Sequence, residues 1–127
     1  MSTGRIPAER YTSVRWMERE WDRMWTRVWL LAAHGSQLAR PGDWVTFELG
    51  RESLLLARGA DGRVRGFVNF CRHRGAQLVT EASGHCRRFT CIYHGWSYDT
   101  EGKLKSISFP DTFGDVDLDG KLDLGRF

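Results

Sequence analysis

The chain has 127 residues, room for one core of ordinary size, and is 41% hydrophobic and 28% charged with a net charge of +3. No run of 18 apolar residues exists and Met1 to Arg10 is polar, so neither a membrane span nor a secretory signal is expected. The basic residues lack clustered aromatic platforms and any nucleic-acid motif, and three Cys cannot make a disulfide framework, so the expectation is a cytoplasmic protein with no nucleic-acid partner.

In chain order, residues 1–30 read as an arm and a helix. Val14, Met17, Trp21, Met24, Trp25 and Val28 recur at gaps of three and four, which predicts one apolar face, for the core or an inter-domain contact. Arg15, Arg19, Arg23 and Arg27 line another face with Glu18, Glu20 and Asp22 as partners, and Thr12 or Ser13 is the expected N-cap. Strands punctuated by Gly follow, at 28–33, 44–49, 53–57, 64–70, 87–90, 97–99 and 104–107. Gly59-Ala60-Asp61-Gly62 and Thr100-Glu101-Gly102-Lys103 are hairpin turns. His34 before Gly35 and His85 after Gly84 suit turns, and Cys86 reads as a small apolar filler in a strand. The first 110 residues carry 17 Lys and Arg against 11 Asp and Glu, the last 17 only two against five, so 111–127 reads as an acidic exit segment.

The chemistry lies in Cys71, His73, Cys91 and His94, spaced C-x-H-x17-C-x2-H. Each half supplies one thiolate and one imidazole from a tight loop just after a strand. Two Cys and two His serve either a tetrahedral zinc ion or a [2Fe–2S] centre of the Rieske type, where two His replace two Cys on one iron. Zinc fingers put both Cys in one half and both His in the other. Here every half is mixed, so each can give its Cys to one iron and its His to the other, which favours iron.

The flanking residues, Cys71-Arg72-His73-Arg74-Gly75-Ala76 and Cys91-Ile92-Tyr93-His94-Gly95-Trp96-Ser97-Tyr98-Asp99, resemble the Rieske domain of ring-hydroxylating, non-haem iron oxygenase α subunits. Trp25-Thr26-Arg27-Val28-Trp29 is similar to the end of that family's helix, here over 11–29, and Leu38 to Trp44 is similar to its entry into the first sheet. The Rieske proteins of the cytochrome bc complexes are less similar. They have disulfide-forming Cys where Ala76 and Tyr93 stand here, and a Ser in place of Trp96. Fewer polar donors around the sulfurs imply a reduction potential toward the low end of the roughly −150 to +300 mV Rieske range. Ile92 departs from the oxygenase pattern, which most often has Pro there.

The resemblance implies a mostly β, iron–sulfur-protein-like fold of antiparallel sheets over 31–110, with a two-loop cluster-binding subdomain and an N-terminal α-helix. It implies that Cys71 and Cys91 hold the buried iron and His73 and His94 the outer one, Tyr93 and Trp96 packing around them to exclude water. Arg72 and Arg74 are expected to pair with carboxylates of a partner or of the next subunit and to offset the charge of a reduced cluster. The implied role is electron transfer from a reductase or ferredoxin to a mononuclear Fe(II) held by another domain, of the same or a neighbouring subunit, in a homotrimer. A free-standing Rieske-type ferredoxin is the alternative.

Overall fold

The computed structural model describes residues 4–114 and 120–126, so 115–119 and 127 of the expected exit segment lie outside it. It divides into two compact units, Met1–Leu31 and Ala32–Phe127. Among the described residues, no helix is long and apolar enough to cross a membrane.

The first unit is helical, as its periodicity predicts, but not one helix. Helix α1 (Glu9–Thr12) ends where Ser13 adopts an extended backbone, α2 (Val14–Glu20) follows, and Trp21–Trp25 widens into a π-helical turn. Ser13 takes the N-cap position of α2, yet its side chain makes no capping bond. No residue of these three elements is buried within this chain, so the apolar stripe adds nothing to a core here, and an inter-domain contact is the other expectation for it. The Arg row also differs: among the described residues none of Arg15, Arg19, Arg23 and Arg27 joins an ion pair. Instead Arg10 and Arg19 each lie 4.6 Å from the Trp16 ring centre, and Arg27 Nε donates to the Asp22 carbonyl. Residues 28–33 form no strand, because no partner strand is offered to their backbone.

The second unit is two antiparallel sheets. One has the order β3-β2-β1-β4, from β1 (Asp43–Leu49), β2 (Glu52–Arg58), β3 (Val64–Val68) and β4 (Ser83–His85). The other is β5-β6-β7, from β5 (Arg88–Thr90), β6 (Ser97–Asp99) and β7 (Leu104–Ser106). Val, Leu and Phe on β1 to β3 bury one face, and Leu55, Ala57, Phe67, Phe89, Trp96 and Tyr98 are core members. The turn at Gly59–Gly62 closes with the Gly62 N–H on the Gly59 carbonyl at 3.0 Å. Strand β4 is a correction, since Ser-Gly-His reads as a turn. Its pairing with β1 makes it a strand, and the Trp44 indole fills the space a Cβ on Gly84 would need. His85 therefore sits in a strand, bonded to Asp43, while His34 opens a short 3₁₀ helix with a capping box to Gln37. Cys86 lies just beyond β4, half-buried, not within a strand. At the other end, Leu124 joins the core, and its N–H donates to the Gly102 carbonyl at 2.8 Å.

Candidate metal centre

The four Cys and His residues sit on two loops with one frame. The first leaves β3 after Asn69 and Phe70; the second joins β5 to β6. In the first, the Cys71 N–H donates to the Ala76 carbonyl (2.8 Å) and the Gly75 N–H to the Cys71 carbonyl (2.9 Å). In the second, the Cys91 N–H donates to the Trp96 carbonyl (2.8 Å) and the Gly95 N–H to the Cys91 carbonyl (2.9 Å). Gly75 and Gly95 adopt φ of 68° and 70°, the left-handed conformation that lets each loop turn back to its Cys. Buried Asn69 anchors the first loop: its Nδ2 donates to Ser53 Oγ and the Val79 carbonyl, and its Oδ1 accepts from the Val79 N–H. Ser97 and Ser106 hydroxyls, 2.7 Å apart, tie β6 to β7 beneath the second.

This frame brings the four residues together in two pairs. The Cys71 and Cys91 thiols are both buried, each 3% exposed. The His73 and His94 rings stand 4.6 Å apart, edge to face. Among the described residues no three His, Cys, Asp or Glu side chains converge on one ion, so the pairs do not form a four-ligand cage around a single metal. Two thiols with two imidazoles are the donor set of a two-iron cluster with mixed ligation.

The environment fits that group. His94 Nδ1 is buried and has no hydrogen-bond partner, a cost that a metal bond removes. Burial pushes the Cys71 thiol up, and the neighbouring Cys91 adds to this, so cationic metal is what draws the thiolate out. Burial, and then His94 and Arg74, push His73 down, toward the neutral imidazole that can ligate. Trp96, 2% exposed, stacks on His73 at 4.7 Å with ring planes 8° apart, and so shields the inner side. Tyr93 lies 3.9 Å from the His94 ring and is 61% exposed in this chain. Arg72 and Arg74 are exposed.

One residue of the site escaped the sequence reading. Tyr98 is fully buried, with its hydroxyl 3.3 Å from Cys71 Sγ and accepting the Arg72 N–H at 3.0 Å. The hydroxyl keeps its hydrogen for a thiolate at Cys71, which can only accept. The signal was available, because a Tyr in a short buried strand needs a hydroxyl partner. Two concavities, about 520 Å³ beside Tyr11 and Met17 and about 490 Å³ beside Lys103 and Asp123, are lined by other residues.

Residues 28–116 match the family of Rieske [2Fe–2S] domains. The biphenyl 2,3-dioxygenase α subunit of Rhodococcus jostii (strain RHA1) is 39% identical over 109 residues, 86% of this chain and 24% of that protein. Among solved structures, naphthalene 1,2-dioxygenase from a Rhodococcus species, bound to indole, superposes with a TM-score of 0.88 at 28% identity, over 95% of this chain and 28% of that one. The apo form of a quaternary ammonium Rieske monooxygenase superposes with 0.86 at 32% identity, over 96% and 35%. The chain spans about a quarter of the length of the curated relatives it matches. On the match over 28–116 and the paired thiols and imidazoles, the chain belongs to the Rieske [2Fe–2S] domain family.

Proposed function

We propose that this chain is the electron-transfer part of a ring-hydroxylating oxygenase and that Cys71, Cys91, His73 and His94 hold its [2Fe–2S] centre. The carrying observation is the buried, unpartnered Nδ1 of His94, on the same loop as the buried Cys91 thiol. Bound there, the cluster supplies one-electron oxidation and reduction. The protein's part is to keep two thiolates in a dry interior and two imidazoles at the rim. Tyr98 orients one sulfur, Trp96 closes the inner side, and Arg72 and Arg74 place positive charge where reduction adds negative charge. A reductase or ferredoxin delivers the electron, and a mononuclear iron held by a catalytic domain, of the same or a neighbouring subunit in a trimer, receives it. Free thiols at Cys71, Cys86 and Cys91 suit a reducing compartment such as the cytoplasm.

The test is chemical analysis of the purified chain. Two irons and two acid-labile sulfides per chain are expected, with a rhombic EPR signal on reduction. Cys71→Ser or Cys91→Ser abolishes both, because a hydroxyl stays protonated where a thiolate is required. Stoichiometric zinc without labile sulfide, from cells replete in iron, refutes the assignment.

A further inference from the structure

The two loops share a backbone frame but stand on different foundations. The second rises from a full ladder: Arg88, Phe89 and Thr90 pair with Asp99, Tyr98 and Ser97, and β7 backs them. The first has a single bridge at its base, Phe70 to Gln77, and its returning arm, 77–80, belongs to no strand. A side chain holds that arm instead. A carboxamide carries the same donor and acceptor as a peptide group. That of Asn69 meets both backbone groups of Val79, as a neighbouring strand would. This pairing fixes which end of the amide is which and leaves the second Nδ2 hydrogen for Ser53 on β2. Ser53 is only 5% exposed, and its hydroxyl accepts from Asn69 Nδ2 at 3.0 Å and from Gln77 Nε2 at 3.3 Å, one donor from each arm. Its own hydrogen goes to Glu48 Oε1 at 2.6 Å, the length of a charge-assisted bond. Glu48 and Ser53 are cross-strand partners on β1 and β2, so both belong to the sheet.

We infer that Glu48 and Ser53 are positioning residues for the metal centre: through Asn69 and Gln77 they clamp both arms of the first loop to the sheet, and so set where Cys71 and His73 stand relative to Cys91 and His94. The inference rests on the cluster-binding reading above. The carboxylate of Glu48 polarises the hydroxyl and strengthens its hold on the two amides. Without the Ser53 oxygen, a buried Asn69 hydrogen has no acceptor, and the two arms lose the one atom that both of them bond. Outer groups that orient ligands in this way are worth about 10–100-fold in metal retention.

Three measurements on the full chain, loaded with iron and sulfide, test this: the rate of iron loss to a chelator, the EPR line width after dithionite reduction, and the urea midpoint. Ser53→Ala should lose iron about tenfold or more faster than the parent. Its rhombic EPR signal should broaden, because His73 then takes up a spread of positions. Ser53→Thr keeps the hydroxyl and should bring both readings back toward the parent. Glu48→Ala, at an exposed position, should speed iron loss by a smaller factor, about threefold, and broaden the signal in the same sense. Glu48→Gln, whose amide oxygen still accepts, should recover both. Val45→Ala is the control for stability alone. It is a buried change on β1, opposite Leu56 and Ser83, so it should lower the urea midpoint and keep the parent's line width. A Ser53→Ala chain with the parent's line width, and with iron loss no faster than that of Val45→Ala, makes the network merely structural and overturns the inference. Should Ser53→Ala fail to fold, Glu48→Ala decides alone, and parental iron loss and line width in that variant overturn it. Zinc without labile sulfide in the parent, from cells replete in iron, overturns the cluster-binding reading and the inference with it. A parent with two irons and two sulfides whose variants at 48 and 53 behave like it overturns only the positioning.

Discussion

Tyr98 joins the two loops through one hydroxyl. Burial and the bond to Cys71 push its phenol well above the usual range, so it stays protonated and can donate to sulfur. Tyr98→Phe removes that donor and leaves the Arg72 N–H without its acceptor. The expected cost is about 1–3 kcal/mol of stability, as for a partly buried group left unsatisfied. The reduction potential should fall as well, because a thiolate that loses a hydrogen bond favours the ferric state. Voltammetry of an iron-replete Tyr98→Phe chain at the parent's potential would sink the idea that this bond tunes the centre. The paired glycines give a second comparison. Ala at 75 or 95 meets a left-handed backbone, worth roughly 1–2 kcal/mol. A Cβ at Gly75 meets nothing within 4 Å, whereas one at Gly95 comes 2.8 Å from Ser108 Oγ. Gly95→Ala should therefore lower the unfolding midpoint more than Gly75→Ala, and adding Ser108→Ala should bring it back to the Gly75→Ala level.

At the scale of elements, β4 is the least self-sufficient strand, three residues with no strong β-former, and one carboxylate helps to hold it. Asp43, at the head of β1, accepts the Arg40 N–H on Oδ2 at 2.7 Å, and its Oδ1 lies 2.9 Å from His85 Nδ1 on β4. The Arg40 backbone bond, then the His85 side chain, lower the Asp43 pKa below its ordinary 3.8. A depressed acid stabilises the fold above its unfolded pKa and loses that contribution as pH falls through the folded one. The parent should thus be more stable than Asp43→Asn at pH 5, and the gap should close as pH falls below about 4. Urea midpoints of the two proteins at matched pH measure this, and a gap that widens toward pH 3 contradicts it. The same carboxylate explains why the strand was illegible in sequence: Ser83-Gly84-His85 carries turn residues, and only the ring of Trp44 and the acid of Asp43, some 40 positions away, make them a strand.

For the whole molecule, what could be read from sequence is what local chemistry dictates. The spacing of Cys71, His73, Cys91 and His94 pointed to two matching loops, which are present, and the strands from 44 to 68 were legible in runs of Val, Leu and Phe between glycines. The long-range partners did not show, because Tyr98 to Cys71 and Asn69 to Ser53 span 27 and 16 positions. In the first unit the helical period over 14–28 foretold helical turns, which are present, and an apolar face for the core or an inter-domain contact, which is exposed within this chain. The named core of the second unit lies between Trp44 and Leu124, all within Ala32–Phe127. A chain starting at Ala32 should therefore fold and keep its iron, with a melting temperature within about 5 °C of the parent, roughly 1 kcal/mol for a domain of this size. The excised segment Met1–Leu31 should be largely unstructured by far-ultraviolet circular dichroism, since its α-helical runs are four and seven residues long. Isolated helices below about 12–15 residues are marginal in water. Loss of the cluster, or of cooperative melting, in the chain starting at Ala32 would show that the second unit does not carry its own stability.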